Sequence, residues 1–198
     1  MNTFIHIFKS INWVDVAMLV LLIRIIFVGV KTGFVTELFK LFGILSAVFF
    51  GLHYYSHLAA FIVQKTGLSI EWLEFTFFVL LVSLLVIAIK YLREGFLVLF
   101  KFETTHAGFN QWGAGILSVL RAMLLASLIM YGILLSNVQF LQKQTLTCIS
   151  HKLVLKLAPN TYFFIYRNLI GKIFVQEKLN EDVFSVISQN GDGRKRLK

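Results

Sequence analysis

Residues 72–91 read WLEFTFFVLLVSLLVIAIKY, and from Phe75 to Ile89 this run carries no charge. Crossing about 30 Å of hydrocarbon at 1.5 Å per residue takes about 20 residues of helix. A stretch of this length and composition therefore predicts a membrane-spanning helix. Three others qualify, from about Trp13 to Val30, Phe34 to Leu52 and Trp112 to Leu135. The first holds only Asp15 and Arg24 as charges, the second Glu37 and Lys40, and the last Arg121 alone.

The whole chain agrees with this reading. Of 198 residues 58% are apolar and 15% charged, with a mean hydropathy of +0.78. A soluble domain carries about 45–50% apolar and about 25% charged residues. An ordinary soluble domain is excluded. So are a disordered, a collagenous and a disulfide-stapled chain, because Phe occurs 21 times and Pro and Cys once each. The net charge of +9 would suggest nucleic acid as partner in a soluble protein. In a membrane chain the same excess serves orientation and contact with anionic headgroups, so the expected partner is the lipid bilayer and not nucleic acid.

The fold class expected is all-α: a polytopic membrane protein of four transmembrane helices followed by amphipathic C-terminal helices. Lys31, Thr32 and Gly33 leave room only for an antiparallel hairpin between the first two spans, with Gly33 free to take a left-handed conformation. Ser56 to Glu71 reads as a polar connection in which Ser69 caps the third helix. Leu92 to Phe100, with Arg93 and Glu94 among bulky apolar residues, reads as a short interfacial helix. Tyr54, Tyr55, Trp72, Tyr91 and Trp112 stand at the ends of the apolar runs, as interfacial anchors do.

Three regions follow: a four-span membrane domain over 1–135, an amphipathic interfacial region over 136–190 and a basic, disordered tail over 191–198. Within the second region Pro159 is expected to break the segment, and Phe163, Tyr166, Ile170, Ile173 and Phe174 keep helical spacing. The N-terminal run is too long, and too charged at Asp15 and Arg24, for a removable signal peptide. Lys and Arg near the odd-numbered loops, with embedded Arg24, Lys40 and Arg121, outnumber those on the opposite side. This predicts cytoplasmic loops and both termini outside the cytoplasm.

Charges inside a membrane need partners. Asp15 and Arg24 lie on opposite sides of one helix and cannot neutralise each other, whereas Glu37 and Lys40 are close enough to pair locally. The expectation is a carboxylate and guanidinium cluster of Asp15, Arg24, Glu37, Lys40 and Arg121 between the first, second and fourth helices. Snorkelling of Asp15 and Arg24 to the interface is the alternative. Small residues recur every fourth position at Gly43, Ala47 and Gly51, and again at Asn110, Ala114, Ser118, Ala122 and Ala126. Such faces let helix backbones approach in lipid, within one chain or between chains.

Catalytic signatures are missing. His53 and His57 could clasp a metal, but no acidic or Cys ligand accompanies them, and a structural role at the membrane edge is favoured. No nucleophile elbow, zinc-protease, P-loop or dinucleotide-binding pattern occurs, and Cys148 has no activator beyond His151. No catalytic residue, cofactor or metal site is expected.

The first half resembles the colicin V production protein (CvpA) family. Asn12, Trp13 and Asp15 open the first span. Gly33, Phe34, Val35 and Glu37 open the second, followed by Gly43 and by His53, Tyr54 and Tyr55. Leu120 and Arg121 match the family's segment in the fourth span. The likeness covers residues 11–135, with an echo at Leu157 to Pro159. The chain departs from the pattern at Thr32, where an Arg is common, at Asn110 and Gln111, where Asp and Arg are usual, and at Ala114, Ser118 and Ala122, which replace glycines. The resemblance implies a bacterial inner-membrane protein, not an enzyme, with a part in toxin production or export and in envelope homeostasis. Some relatives carry a protease domain after the membrane unit; none is expected in the residues after Leu135 here, where no Ser, His and Asp motif occurs. The alternative is a small oligomeric transporter or channel with Asp15, Glu37 and Arg121 along a polar path. Partnership with other membrane proteins, or self-association, fits either.

Overall fold

The computed structural model describes residues 12–99, 107–136, 138–148, 151–173 and 178–188, and they are almost entirely helical. Helices α1 (Trp13–Thr32), α2 (Phe34–Thr66), α3 (Ile70–Leu99) and α4 (Ala107–Leu135) are the long ones. Each contains a window apolar enough to cross a membrane, and the protein is a multi-pass membrane protein. Shorter helices follow: α5 (Gln139–Thr147), α6 (His151–Val154) and α7 (Leu157–Ile165). A π-helical turn at Tyr166–Ile170 leads into α8 (Gly171–Ile173), and a last helical segment covers 182–188. The basic tail at 191–198 and Phe174 lie outside the described residues.

The bundle has an inner and an outer pair. Half of the apolar window of α4 and 44% of that of α2 are buried, against 17% for α1 and 6% for α3. Helix α2 packs along α3 and α4, and α1 packs along α4. The outer faces of α1 and α3 carry exposed Leu19, Ile23, Phe27, Leu80, Leu84 and Ile87, which is how a helix facing lipid looks. Backbones come close where side chains are small. A Cβ on Gly43 would stand 3.0 Å from Ile89 Cγ2, and one on Gly51 would stand 2.9 Å from Val82 Cγ2, so these glycines receive α3. Ala47 is buried beside them. On α4, Ala114, Ser118 and Ala122 are fully buried. A Cβ on Gly29 would fall 2.2 Å from the Ser118 Cβ, so α1 and α4 touch there only because residue 29 has no side chain.

Three boundaries differ from the sequence reading. Ser56 to Thr66 is not a connection but the continuation of α2, whose buried residues extend through Ser56 and Ala59. The turn is confined to 67–69, with Gly67 at φ +67 donating its N–H to Val63 O. Leu92 to Leu99 is not a separate interfacial helix; Arg93 and Glu94 sit within α3. Pro159 does not break a helix either. It occupies the first turn of α7, where its missing N–H would have had no intrahelical acceptor.

The helices after Leu135 close one end of the bundle. Helix α7 packs against α2 and α4, and Leu155, Ala158, Tyr162 and Val183 have almost none of their surface exposed. Ser127 of α4 supplies the tie: its Oγ donates to Leu155 O at 3.0 Å and accepts the Ala158 N–H at 2.8 Å. Gln142 Nε2 donates to Leu134 O at 2.8 Å, satisfying a carbonyl that the end of α4 leaves open. Tyr55, read as an interfacial anchor, is instead buried, its hydroxyl 3.0 Å from that of Tyr131. It lies on the face of α2 that meets α4, so a buried partner replaces the headgroup. Trp72 and Trp112 are exposed near the starts of α3 and α4, whereas Tyr91 is exposed on α3 more than two turns before that helix ends at Leu99.

Candidate functional site

The site begins with the α1–α2 turn. Gly33 sits at φ +87, a conformation that side chains disfavour, and this single residue reverses the chain. The first amides of α2 then need acceptors from outside the helix. Asn110 of α4 supplies one, its Oδ1 accepting the Phe34 N–H at 2.6 Å. The hairpin is thereby fastened to α4. One turn into α2, Glu37 is fully buried.

Glu37 gathers its neighbours. Its Oε1 accepts from the Thr32 hydroxyl at 2.6 Å and from Lys40 Nζ at 2.6 Å. Its Oε2 lies 3.1 Å from an Arg121 Nη2, close in charge though without an aligned hydrogen bond. Side chains on a helix lean toward its N-terminus, so Arg121 reaches back along α4 to the level of Glu37. Gly29 contributes by absence: a Cβ there would be 3.4 Å from Glu37 Cδ. Two cations around one carboxylate leave a net positive site. Burial of an ionised carboxylate is tolerated when it is paired and hydrogen-bonded. The arrangement anchors α2 to α4 and offers no free nucleophile.

Two residues expected in this cluster stand elsewhere. Asp15 is at the opposite end of α1, where its carboxylate accepts the Asn12 N–H at 3.2 Å and completes a capping box. The open amides of a helix start, with the positive end of its dipole, favour an acid there. Asn12 also donates its Nδ2 to Gln144 O at 3.0 Å, tying the start of α1 to α5. Trp13 beside it is exposed. Arg24 is exposed on the outer side of α1, turned away from Glu37. Helical spacing puts it on a different face from Gly29, which meets α4.

A second polar group lies at the far end of the bundle. His53 of α2 is buried, with Nδ1 2.9 Å from the Tyr162 hydroxyl. That hydroxyl accepts the Asn180 N–H at 3.0 Å. Asn180 Nδ2 donates to Leu52 O at 2.8 Å, so one Asn binds the C-terminal segment to α2. His57, the other half of the pair weighed as a metal clasp, is exposed, while His53 faces Tyr162. Thr32, Ser127, Tyr131 and Asn180 went unnoticed in the sequence as site residues. Ser127 and Tyr131 had a signal, being polar groups in an otherwise apolar run that require a partner in lipid. Asn180 had none, because nothing in its neighbourhood says that it is buried.

No curated protein and no solved structure matches the chain. The family model for the colicin V production protein matches residues 14–159, which takes in all four long helices and reaches Pro159 in α7. By that match, and with Gly33, Phe34 and Glu37 holding the hairpin on which the bundle is built, this chain belongs to the colicin V production protein family.

Proposed function

We propose that this protein is a non-enzymatic membrane scaffold that supports toxin production or export, and envelope homeostasis, in a bacterial inner membrane, acting through other membrane proteins or further copies of itself. One observation carries the reading. Glu37, with Thr32, Lys40 and Arg121, and His53, with Tyr162 and Asn180, head two separate polar groups along α2. Sixteen positions of α2 separate Glu37 from His53, roughly 24 Å of helix. Ile44, Ala47, Val48, Ala122 and Ala126 fill the space between with apolar contact. Such packing favours a rigid support over a polar conduit through one chain. The favoured orientation puts the loops after α1 and α3 in the cytoplasm and both termini outside; a reporter fused at Ser136 would then be external and one at Gly95 internal.

The competing reading, a small oligomeric transporter, draws on Arg24, a charge on the outer side of α1 that a second copy could accept. Purified protein in liposomes separates the two. The scaffold reading expects no proton or cation flux above that of empty vesicles. Flux that Arg121→Ala abolishes would overturn it.

A further inference from the structure

At the end of the bundle that carries Glu37, a cavity of about 410 Å³ opens between the helices. That volume is within the range of small-molecule sites. Four cations line it: Lys40 from α2, Lys90 and Arg93 from α3, and Arg121 from α4. Glu37 meets Lys40 and Arg121, and Glu94 lies 3.3 Å from Arg93. Two carboxylates against four cations leave positive charge uncompensated among the described residues. Moreover, Arg93 Nε and Arg121 Nε are both buried N–H groups with no hydrogen-bond acceptor. Buried donors of this kind are rare and call for an acceptor. The acceptor that would satisfy two guanidinium groups together is an anion with several oxygens.

The rest of the lining identifies the anion's carrier. Beyond the cations the walls are apolar, with Ile25 of α1, the buried Ile44 of α2 and Leu125 of α4 among them. The rim includes Val86 and Lys90, both exposed on α3, the outermost helix. A soluble anion would gain nothing from these walls. A lipid would, since its phosphate would sit among the cations at headgroup level while its chain follows the apolar wall inward. Basic pockets between transmembrane helices recognise anionic headgroups in this manner.

We propose that the cavity between α2, α3 and α4 is a binding site for one anionic phospholipid, its phosphate held by Lys40, Lys90, Arg93 and Arg121. The site does not depend on the scaffold reading: a liposome flux result leaves it standing, and its own failure leaves that reading standing.

The test is native mass spectrometry of the full chain released from detergent micelles containing equal amounts of phosphatidylglycerol and phosphatidylcholine with the same acyl chains. One phosphatidylglycerol per chain is expected to be retained, at least about tenfold over phosphatidylcholine. Lys90→Gln with Arg93→Gln, which leaves the contacts of Glu37 alone, is expected to weaken retention roughly 30-fold, from about 1 kcal/mol per cation removed. Val86→Trp keeps every cation but fills the cavity, and is expected to abolish retention; it decides the matter if the double variant fails to fold. Equal retention of the two lipids, or undiminished retention in Val86→Trp or in a folded double variant, would overturn the proposal. So would displacement of the lipid by excess inorganic phosphate, which would assign the pocket to a soluble anion.

Discussion

Glu37 of α2 and Arg121 of α4 meet at 3.1 Å, and Glu37 has none of its surface exposed. A buried ion pair adds little stability over a well-packed apolar pair, because desolvation offsets most of the attraction. What it supplies is register. Small-residue faces such as Ala114, Ser118 and Ala122 permit close approach but leave sliding by one turn nearly cost-free. Sliding α4 by a turn, about 5.4 Å, would part a buried carboxylate from its guanidinium. The pair therefore selects one alignment of the inner helices, and the Asn110 cap on Phe34 selects the same one.

The contact of α1 with α4 depends on the missing side chain at position 29. Gly29→Ala would put its Cβ 2.2 Å from that of Ser118 and must push the helices apart. Overpacking of this kind costs about 1–3 kcal/mol. Thermal unfolding in detergent should show that loss, and adding Ser118→Gly should recover most of it. Equal loss in the single and double variants would show that the two backbones do not meet there.

Asn180 holds the C-terminal segment through Tyr162 and the Leu52 carbonyl. Asn180→Ala removes a second donor from a carbonyl that lies inside α2, at a cost of about 0.5–1.5 kcal/mol. The four long helices keep their own contacts. Limited proteolysis should therefore cut the variant faster after Leu135 while α1 to α4 stay resistant. An unchanged digestion pattern would contradict the docking of this segment.

How α3 lies on α2 can be trapped chemically. A Cβ at position 43 would be 3.3 Å from Ile89 Cβ, close to the separation that a disulfide needs. Gly43→Cys with Ile89→Cys, in a Cys148→Ser background, should crosslink in native membranes on mild oxidation. The pair Gly43→Cys with Val79→Cys, with its second cysteine nearly three turns away, should not.

Much of the fold was readable because lipid imposes a length. The four apolar runs predict four spans, and Lys31 to Gly33 predicts the hairpin. The helix ends were less readable. A helix continues past the hydrocarbon wherever other helices cover it, as at Ser56 and Ala59, and hydropathy does not see that cover. Pairing had the same limit. Spacing alone puts Lys40 within reach of Glu37, but choosing among Arg24 and Arg121 requires knowing which face of α1 meets α4, and Gly29 settles that only once Ser118 is seen against it. Asp15 obeyed a local rule, the capping box with Asn12, over the long-range pairing that its charge suggested.

The central claim is that Glu37 and Arg121 form one energetic unit joining α2 to α4. A double-mutant cycle on thermal unfolding in detergent measures it directly. Glu37→Leu strands two cations and should cost about 3–5 kcal/mol, and Arg121→Leu should cost less because Lys40 still meets Glu37. The double variant should lose at least about 1 kcal/mol less than the sum of the two. Strict additivity would mean that the two charges do not interact, and the alignment of the inner helices would need another cause.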